Sequence, residues 1–385
     1  MIVIQNAKAV LEDEIREDVR IFVENGRIVS IGTQDDVLPE NAEIIDGEGL
    51  YVGPGFVDIH VHGGNGYMFD SDPLRAAAHF LSHGETTLLA TLYYTLSREE
   101  LLASVAGIRA AMQETACGRA IKGIYMEGPY MNPKYGASPE KNKWRGEIRA
   151  EDYTELVDKL ADLVKVWAIA PEREGIESFL AYAKEKNPSV MISVGHSEAT
   201  PAQIKALKKY GIGLMTHCMN ATGRPPCPLG TRSCGPDEAC LMDKDMYAEL
   251  ICDSMGIHVP PDMLELVLSV KGIDKVVLIS DSYVGEPSPA EMRHVTDLSF
   301  DGNGNLSGSK LTLDVACRNF IKHTGSSIPM AFKAAATNPA RVAGLDHELG
   351  SLAVGKRADL VFVDENFTVK KIMLEGQLQK GIELC

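Results

Sequence analysis

Two histidines separated by a single residue, His60 and His62, close an apolar run that begins at Phe56. Side chains at positions i and i+2 of a strand lie on the same face, so the two imidazoles point the same way. Two neutral imidazoles at a strand end can bind a divalent metal such as zinc. Two hydrogen-bonded core histidines would give the same local pattern, so the pair alone does not separate a metal site from a structural role.

Four further polar residues each come directly after another apolar run. They are Glu127 in MEGP, His196 in VGHS, His217 in MTHC and Asp281 in ISDS. Scattered core residues would rarely produce four histidines and two carboxylates at such positions. If the runs are strands of one closed barrel, their ends converge on one mouth, and residues distant in sequence meet around a metal.

In that arrangement Glu127 is placed to bridge two ions, with the histidines divided between them. A metal lowers the pKa of its bound water and polarises a substrate carbonyl. Asp281 can then accept the proton of the water and deliver it to a leaving amine. The structural alternative for Asp281 is a helix N-cap or a solvated turn.

The elements that must position these residues are eight apolar runs, nearly all followed by an amphipathic helical pattern. This alternation predicts an α/β protein with a parallel sheet closed into a (β/α)8 TIM-like barrel, in which the chemistry lies at the carboxyl ends of the strands. The runs are residues 56–62, 86–93, 121–126, 164–169, 190–194, 212–215, 248–252 and 276–279.

Both ends of the chain have strand character instead. Short β-rich runs and an Asn25-Gly26 turn occupy the N-terminal segment, and similar runs return near the C-terminus. We therefore predict a small β-sandwich domain formed by both termini, from residues 1–52 and 346–385, beside a catalytic barrel at residues 53–345.

Charge and hydropathy exclude several classes of partner. The chain has 385 residues and a formal net charge of -16, whereas nucleic acids and acidic membranes require a basic surface. No run approaches the length of a membrane span, and the first residues lack the regions of a signal peptide. We expect a cytoplasmic protein with a small-molecule substrate and with neither a nucleic acid nor a membrane as a partner.

The eight cysteines form no CxxC pair, which fits reduced thiols better than a disulfide framework. Four of them surround one loop, where a structural metal is conceivable but disfavoured because their spacing is irregular. These four are Cys218, Cys227, Cys234 and Cys240.

Stretches from near residue 50 to near residue 365 resemble the amidohydrolase superfamily, and more closely the N-acetylglucosamine-6-phosphate deacetylases. Four motifs in this order, MEGP, GHS, TH-x-x-NA and LSGS, are specific to the deacetylase branch. Other matching stretches are PGFVDIHVHGG, LISDS, TNPARVAGL and GSLAVGKRADLVFVD.

The resemblance implies a metal-dependent hydrolase of linear amides that removes the acetyl group from an N-acetylated amino-sugar phosphate, with N-acetylglucosamine 6-phosphate as the first choice. It implies one or two divalent ions, zinc first and iron or another transition metal as alternatives. Asp281 matches the general acid/base of the family. The matching metal-ligand positions are His60, His62, Glu127, His196 and His217.

The resemblance also implies substrate contacts. Asn220 and Ala221 match a turn whose backbone N–H groups meet the sugar phosphate, and His258 in GIHV matches a substrate contact. Arg232 matches an arginine that reaches the phosphate bound to a neighbouring subunit, which predicts a homodimer. Arg224 competes for this role because the surrounding loop is unusual.

The departures from the family all lie in substrate loops. Ser138 replaces a sugar-contacting imidazole, and Asp237 and Glu238 stand where the family has small residues. The alternative is therefore the same metal site acting on a different amide: an unphosphorylated acyl sugar, an N-acyl amino acid or a cyclic amide. A non-catalytic scaffold predicts a broken ligand set, and this set is whole.

Overall fold

A computed structural model describes residues 1–379. The last residues of the predicted C-terminal β-domain segment, 380–385, lie outside the described residues. The N-terminal segment forms short strands because β-branched residues alternate with turn residues there. These strands are β1 (Ile2–Gln5), β2 (Lys8–Val10), β3 (Ile15–Arg16), β4 (Val19–Glu24), β5 (Arg27–Thr33), β6 (Glu43–Asp46) and β7 (Tyr51–Pro54).

The Asn25-Gly26 turn joins β4 and β5 as an antiparallel hairpin, as the sequence predicts. Both turn residues have positive φ angles, 50° and 75°, which is the geometry that favours Asn-Gly in two-residue hairpins. β1 and β6 complete a four-stranded sheet in the order β5-β4-β1-β6.

Eight of the next ten strands form the barrel, at the eight predicted positions. Their order is β17-β16-β15-β14-β13-β12-β11-β8, and every neighbouring pair is parallel. The (β/α)8 TIM-like fold is confirmed. The strands are β8 (Phe56–Val61), β9 (Gly63–Gly64), β10 (Tyr67–Met68), β11 (Glu85–Tyr93), β12 (Ile121–Glu127), β13 (Val164–Ile169), β14 (Met191–Val194), β15 (Ile212–Met215), β16 (Tyr247–Ile251) and β17 (Val276–Ile279).

Backbone hydrogen bonds close the barrel between its first and last strands. The Asp281 N–H donates to the His60 carbonyl at 2.9 Å, and the His62 N–H donates to the Ser282 carbonyl at 2.9 Å. The ends of β8 and β17 are therefore tied together, which brings Asp281 beside the histidine pair.

Helices cover the outside of the barrel, and the strands are nearly continuous apolar runs because both of their faces are buried. Among residues 1–379, no helix combines the length and the hydropathy that crossing a lipid bilayer requires. The helices are α1 (Pro73–Leu81), α2 (Arg98–Ala111), α3 (Ala116–Ala120), α4 (Ala150–Leu160), α5 (Ile176–Lys186), α6 (Pro201–Leu207), α7 (Pro236–Met242), α8 (Pro261–Lys271), α9 (Leu313–Thr324), α10 (Ile328–Phe332) and α11 (Asn338–Val342).

The last strands are β18 (Leu298–Phe300), β19 (Leu306–Ser309), β20 (Leu360–Val363), β21 (Val369–Leu374) and β22 (Gln377–Leu378). β18 and β19 form a hairpin beyond the eighth barrel strand. A six-stranded sheet in the order β22-β21-β20-β7-β2-β3 combines strands from both ends of the chain. β7 continues across position 52, so the proposed limits of the β-domain at residues 52 and 346 stay predictions.

Candidate active site

The barrel brings the predicted metal ligands together at the carboxyl ends of its strands. Each residue lies within two residues of the end of a barrel strand, and the two histidines share the end of β8. All of them are buried. They are His60 on β8, His62 directly after β8, Glu127 on β12, His196 after β14 and His217 after β15.

Glu127 is the centre of this cluster because both of its carboxylate oxygens face histidines. Its Oε1 lies 2.8 Å from His196 Nε2 and 3.1 Å from His217 Nε2. Its Oε2 lies 3.3 Å from His62 Nε2, and His60 Nε2 is 3.8 Å from Oε1. The ligand atoms therefore form two triads that share Glu127: one with His60 and His62, the other with His196 and His217.

The arrangement of nitrogen atoms fits a divalent ion. The Nε2 atoms of His196 and His217 are 3.0 Å apart and face the same carboxylate oxygen. His60 Nε2 is buried without a hydrogen-bond partner, which costs free energy unless a cation satisfies it. Buried imidazole nitrogens and a carboxylate are the ligands that zinc and related transition metals prefer.

Protonation of the cluster is strongly biased by its own charges. Burial lowers the pKa of His62, but hydrogen bonds to Asp281 and Glu127 outweigh it and raise the pKa to about 10. Burial likewise lowers the pKa of His217, and its hydrogen bond to Glu127 and the charge of Asp281 raise it to about 9. A divalent ion that binds here must displace these protons, because only neutral imidazole is a ligand.

Asp281 lies beside the first triad, with Oδ1 3.3 Å from His62 Nε2 and 3.6 Å from His60 Nε2. Burial raises the pKa of its carboxyl, and the charges of His60 and His62 lower it below its usual value. Its φ angle is 46°, a left-handed conformation that costs energy for a residue with a Cβ. The Ser309 N–H, which donates to the Asp281 carbonyl at 2.8 Å, helps to hold it there.

Sequence reasoning missed two buried carboxylates that orient the cluster. Glu249 on β16 accepts from His60 Nδ1 at 3.1 Å and from the His217 backbone N–H at 3.0 Å through the same oxygen. Asp58 on β8 accepts the His60 backbone N–H at 3.1 Å. The sequence signal that could have found them is an acidic residue inside an otherwise apolar strand, because a buried carboxylate needs a hydrogen-bonding or charged partner.

A Glu249→Gln variant should bind metal roughly 10- to 100-fold more weakly than the natural chain. The amide keeps the size of the carboxylate but removes the charge that makes His60 a stronger ligand and fixes its Nδ1 proton. Metal content after dialysis against a graded chelator would measure the effect. An exposed acidic residue on the barrel exterior, Glu177, gives the control as Glu177→Gln. Equal metal retention in both variants would contradict the orienting role.

A cavity of about 410 Å³ opens above the cluster at the mouth of the barrel. Four of the predicted substrate residues line it: Ser138, Asn220, Ala221 and His258. The Asn220 backbone N–H donates to the His217 carbonyl at 2.9 Å, so it is already engaged. The side-chain Nδ2 of Asn220 is buried without a hydrogen-bond partner and is available to a ligand.

His258 is held rigidly in the cavity wall. Its Nδ1 is 3.0 Å from Asp253 Oδ2, and its Nε2 is 3.2 Å from the Gly308 carbonyl. Asp253 also accepts the backbone N–H groups of its own loop, including that of Ile257. Burial raises the pKa of Asp253, but these hydrogen bonds, that of His258 first, lower it to about 2.

The loop that carries Ser138 packs directly on the second triad. Gly136 has a φ of 105°, and a Cβ at this position would lie 2.5 Å from His196 Nδ1 and 2.4 Å from the Tyr94 hydroxyl. Only glycine therefore fits both the backbone conformation and the space above His196. The Tyr94 hydroxyl donates to the Ala137 carbonyl at 2.8 Å and ties the loop down.

The two arginines proposed for a phosphate lie outside the cavity wall. Arg232 has 74% of its side chain exposed, and its Nη2 is 3.2 Å from Glu238 Oε1. Arg224 contacts the same oxygen at 2.6 Å. Within one chain both arginines therefore share the single carboxylate of Glu238, and neither lines the cavity.

The cysteine cluster gives no metal site within residues 1–379. The groups there that could hold an ion are the two triads that share Glu127. Cys218 is 3.7 Å from Asp237 Oδ1, Cys240 contacts the Tyr247 carbonyl at 3.6 Å, and Cys227 contacts Thr231 at 3.0 Å.

Comparison with known proteins agrees with this geometry. The amidohydrolase family profile matches residues 51–378. An N-acetylgalactosamine-6-phosphate deacetylase of Escherichia coli O157:H7 is 31% identical over 98% of both chains. An N-acetylglucosamine-6-phosphate deacetylase of Bacillus subtilis (strain 168) is 28% identical over 98% of this chain and 96% of its own.

A solved deacetylase structure also matches nearly the whole chain. The N-acetylglucosamine-6-phosphate deacetylase from Pasteurella multocida superimposes with a TM-score of 0.85, covering 99% of this chain and 100% of its own at 26% identity. The family match spans the barrel, both triads and Asp281, so the chain belongs to the amidohydrolase family.

Proposed function

We propose that this protein is a metal-dependent deacetylase of an N-acetylated amino-sugar phosphate, with N-acetylglucosamine 6-phosphate as the first substrate to test. The observation that carries the proposal is the pair of triads sharing Glu127, with the Asp281 carboxylate 3.3 Å from one of their histidines at the mouth of the barrel. This donor set suits amide hydrolysis because it combines a metal site with a separate proton carrier.

His60, His62, Glu127, His196 and His217 would hold one or two divalent ions, with zinc as the first choice. When bound, the metal supplies a water of lowered pKa and polarises the acetyl carbonyl. Asp281 accepts the proton of the attacking water and returns it to the departing nitrogen, so acetate and a free amine leave. Glu249 holds His60 in place during these steps through the bond to its Nδ1.

The sugar and its phosphate are supported by the relatives. The Escherichia coli O157:H7 relative is named for N-acetylgalactosamine 6-phosphate, and the Bacillus subtilis relative is named for N-acetylglucosamine 6-phosphate. These two sugars differ in configuration at one ring carbon. Ser138, Asn220, Ala221 and His258 line the cavity in which either sugar would lie.

Acetate release from both sugar phosphates by purified, zinc-loaded protein tests the proposal. We expect turnover of at least one of them, loss of activity on treatment with a chelator, and recovery on adding the metal back. A panel of unphosphorylated acyl sugars, N-acyl amino acids and cyclic amides is measured in parallel. Preference for any of these over both sugar phosphates would overturn the substrate assignment and favour the alternative amide.

We also propose a cytoplasmic homodimer in which Arg232 reaches the site of the neighbouring chain. The exposure of Arg232, which does not line its own cavity, supports this arrangement. Light scattering of the eluting protein measures the mass, and a monomer at micromolar concentration would contradict it.

A further inference from the structure

Lys141 is a cation in the wall of the catalytic cavity with no assigned role. It ends the short 3₁₀ turn Pro139–Lys141, which follows Ser138 in the loop that packs over His196. Among the residues that line the cavity, Lys141 is the one lysine, and no arginine lines it within residues 1–379. Lys141 is exposed.

The ammonium group of Lys141 is also available. Lys141 forms no ion pair within residues 1–379, whereas most nearby lysines are engaged by carboxylates. Lys134 pairs with Glu198, and Lys143 pairs with Glu100 at 2.6 Å. The charge of Lys141 acts on Asp301, on the tip of the β18–β19 hairpin that lines the same cavity.

An anionic substrate needs such a group here. The chain has a net charge of -16, and outside the metal cluster the cavity wall carries the carboxylates of Glu140 and Asp301. These charges repel a phosphate as it enters, while a single unpaired ammonium gives it a local charge-assisted hydrogen bond. Arg224 and Arg232 do not supply this charge from the same chain, because neither lines the cavity and both contact Glu238 outside it.

We propose that Lys141 is a specificity-determining residue that binds the phosphate of the sugar substrate from the same chain as the metal site. This inference rests on the proposed function and deepens it. Asp301 is the opposing element: in the absence of substrate its carboxylate attracts the ammonium across the mouth, and the doubly charged phosphate competes for it. The buried Asn220 Nδ2 and the Ala221 backbone are further donors in the same cavity.

The test compares Lys141→Met, Lys141→Arg and Lys143→Met in the zinc-loaded full chain. Lys141→Met should lower kcat/KM for N-acetylglucosamine 6-phosphate roughly 10- to 100-fold, mainly through KM, as expected for a lost charge-assisted hydrogen bond. The loss for unphosphorylated N-acetylglucosamine should be smaller by about tenfold or more. Lys141→Arg should recover most of the affinity. Lys143→Met should behave as the natural chain, because Lys143 faces Glu100 outside the cavity.

Binding of the products gives a second readout that does not depend on turnover. Calorimetry should show that Lys141→Met lowers the affinity for glucosamine 6-phosphate by the same factor as it raises KM. The affinity for glucosamine should change much less. Equal losses for the phosphorylated and unphosphorylated sugars would overturn the proposal, because Lys141 would then act on the loop through Asp301. The proposal would also be overturned if Lys141→Met left the affinity for glucosamine 6-phosphate unchanged while Arg232→Met lowered it. That result would mean that the partner chain alone binds the phosphate.

Failure of the proposed function is a distinct result. A natural chain that releases no acetate from either sugar phosphate, or prefers an unphosphorylated amide, contradicts the function rather than the role of Lys141. In that case the comparison of glucosamine 6-phosphate with glucosamine in the Lys141 variants still decides whether this residue binds a phosphate.

Discussion

An Asp281→Asn variant should lose roughly 10²- to 10⁴-fold in kcat toward its acyl-sugar substrate while keeping its metal and its fold. The amide has the size of the carboxylate but cannot take a proton from water and pass it to the leaving nitrogen. Its backbone N–H can still donate to the His60 carbonyl, so the closure between β8 and β17 should persist. The rate of acetate release, the metal content and the thermal midpoint together measure the effect.

Asp262→Asn is the matched control, since Asp262 is an exposed carboxylate in the first turn of α8. It should change neither rate nor metal content. Full activity in Asp281→Asn would remove the proton-carrier role. Loss of both metal and activity would instead show that Asp281 is a metal ligand. Its Oδ1 lies 3.3 Å from His62 Nε2, so this outcome is tested by the same measurement.

The barrel and its strand ends could be predicted because the chemistry-bearing residues follow the apolar runs directly. In a closed parallel barrel every strand ends at the same face, so the position of His196 or His217 in the sequence already places it at the mouth. The structure confirms that these strand ends form one barrel. Convergence of the imidazoles on Glu127 then follows from topology, without knowledge of any loop.

Glu249 shows where this reasoning stops. It lies inside the strand Tyr247–Ile251, and its role depends on which side chains face the barrel interior from neighbouring strands. Its contact with His60 joins residues far apart in sequence, on strands two positions apart in the closed barrel. No local sequence pattern predicts the contact between Glu249 and His60, so the sequence does not distinguish Glu249 from the other residues of its apolar run.

The substrate loops are less predictable for a different reason. The family resemblance implies that the Asn220 N–H meets the sugar phosphate. In the structure this N–H donates to the His217 carbonyl, because His217 adopts a φ of 28° and the chain turns back at once. Lys141 likewise enters the cavity wall through the turn Pro139–Lys141. Such turns depend on few local contacts, and insertions change them without disturbing the strands.

Replacing both His60 and His62 with glutamine should lower the metal content from about two ions per chain to about one, with the barrel still folded. The two triads share Glu127 alone, so the second triad keeps its own two imidazoles when the first is removed. Some stability is lost because Glu249 no longer accepts from His60 Nδ1, on the order of 1–3 kcal/mol for a buried partner. Metal analysis and circular dichroism measure the two effects.

The control for this variant is the pair formed by His79 on α1 and His83 just beyond its end, whose rings are 5.1 Å apart but belong to neither triad. Their double replacement by glutamine should leave the metal content unchanged, although His83 loses its 3.4 Å contact with Asp314. An unchanged metal content in the His60 and His62 variant would make that pair structural. Complete loss of metal would show that all five ligands act as one site, whereas retention of one ion would establish that Glu127 links two separable sites.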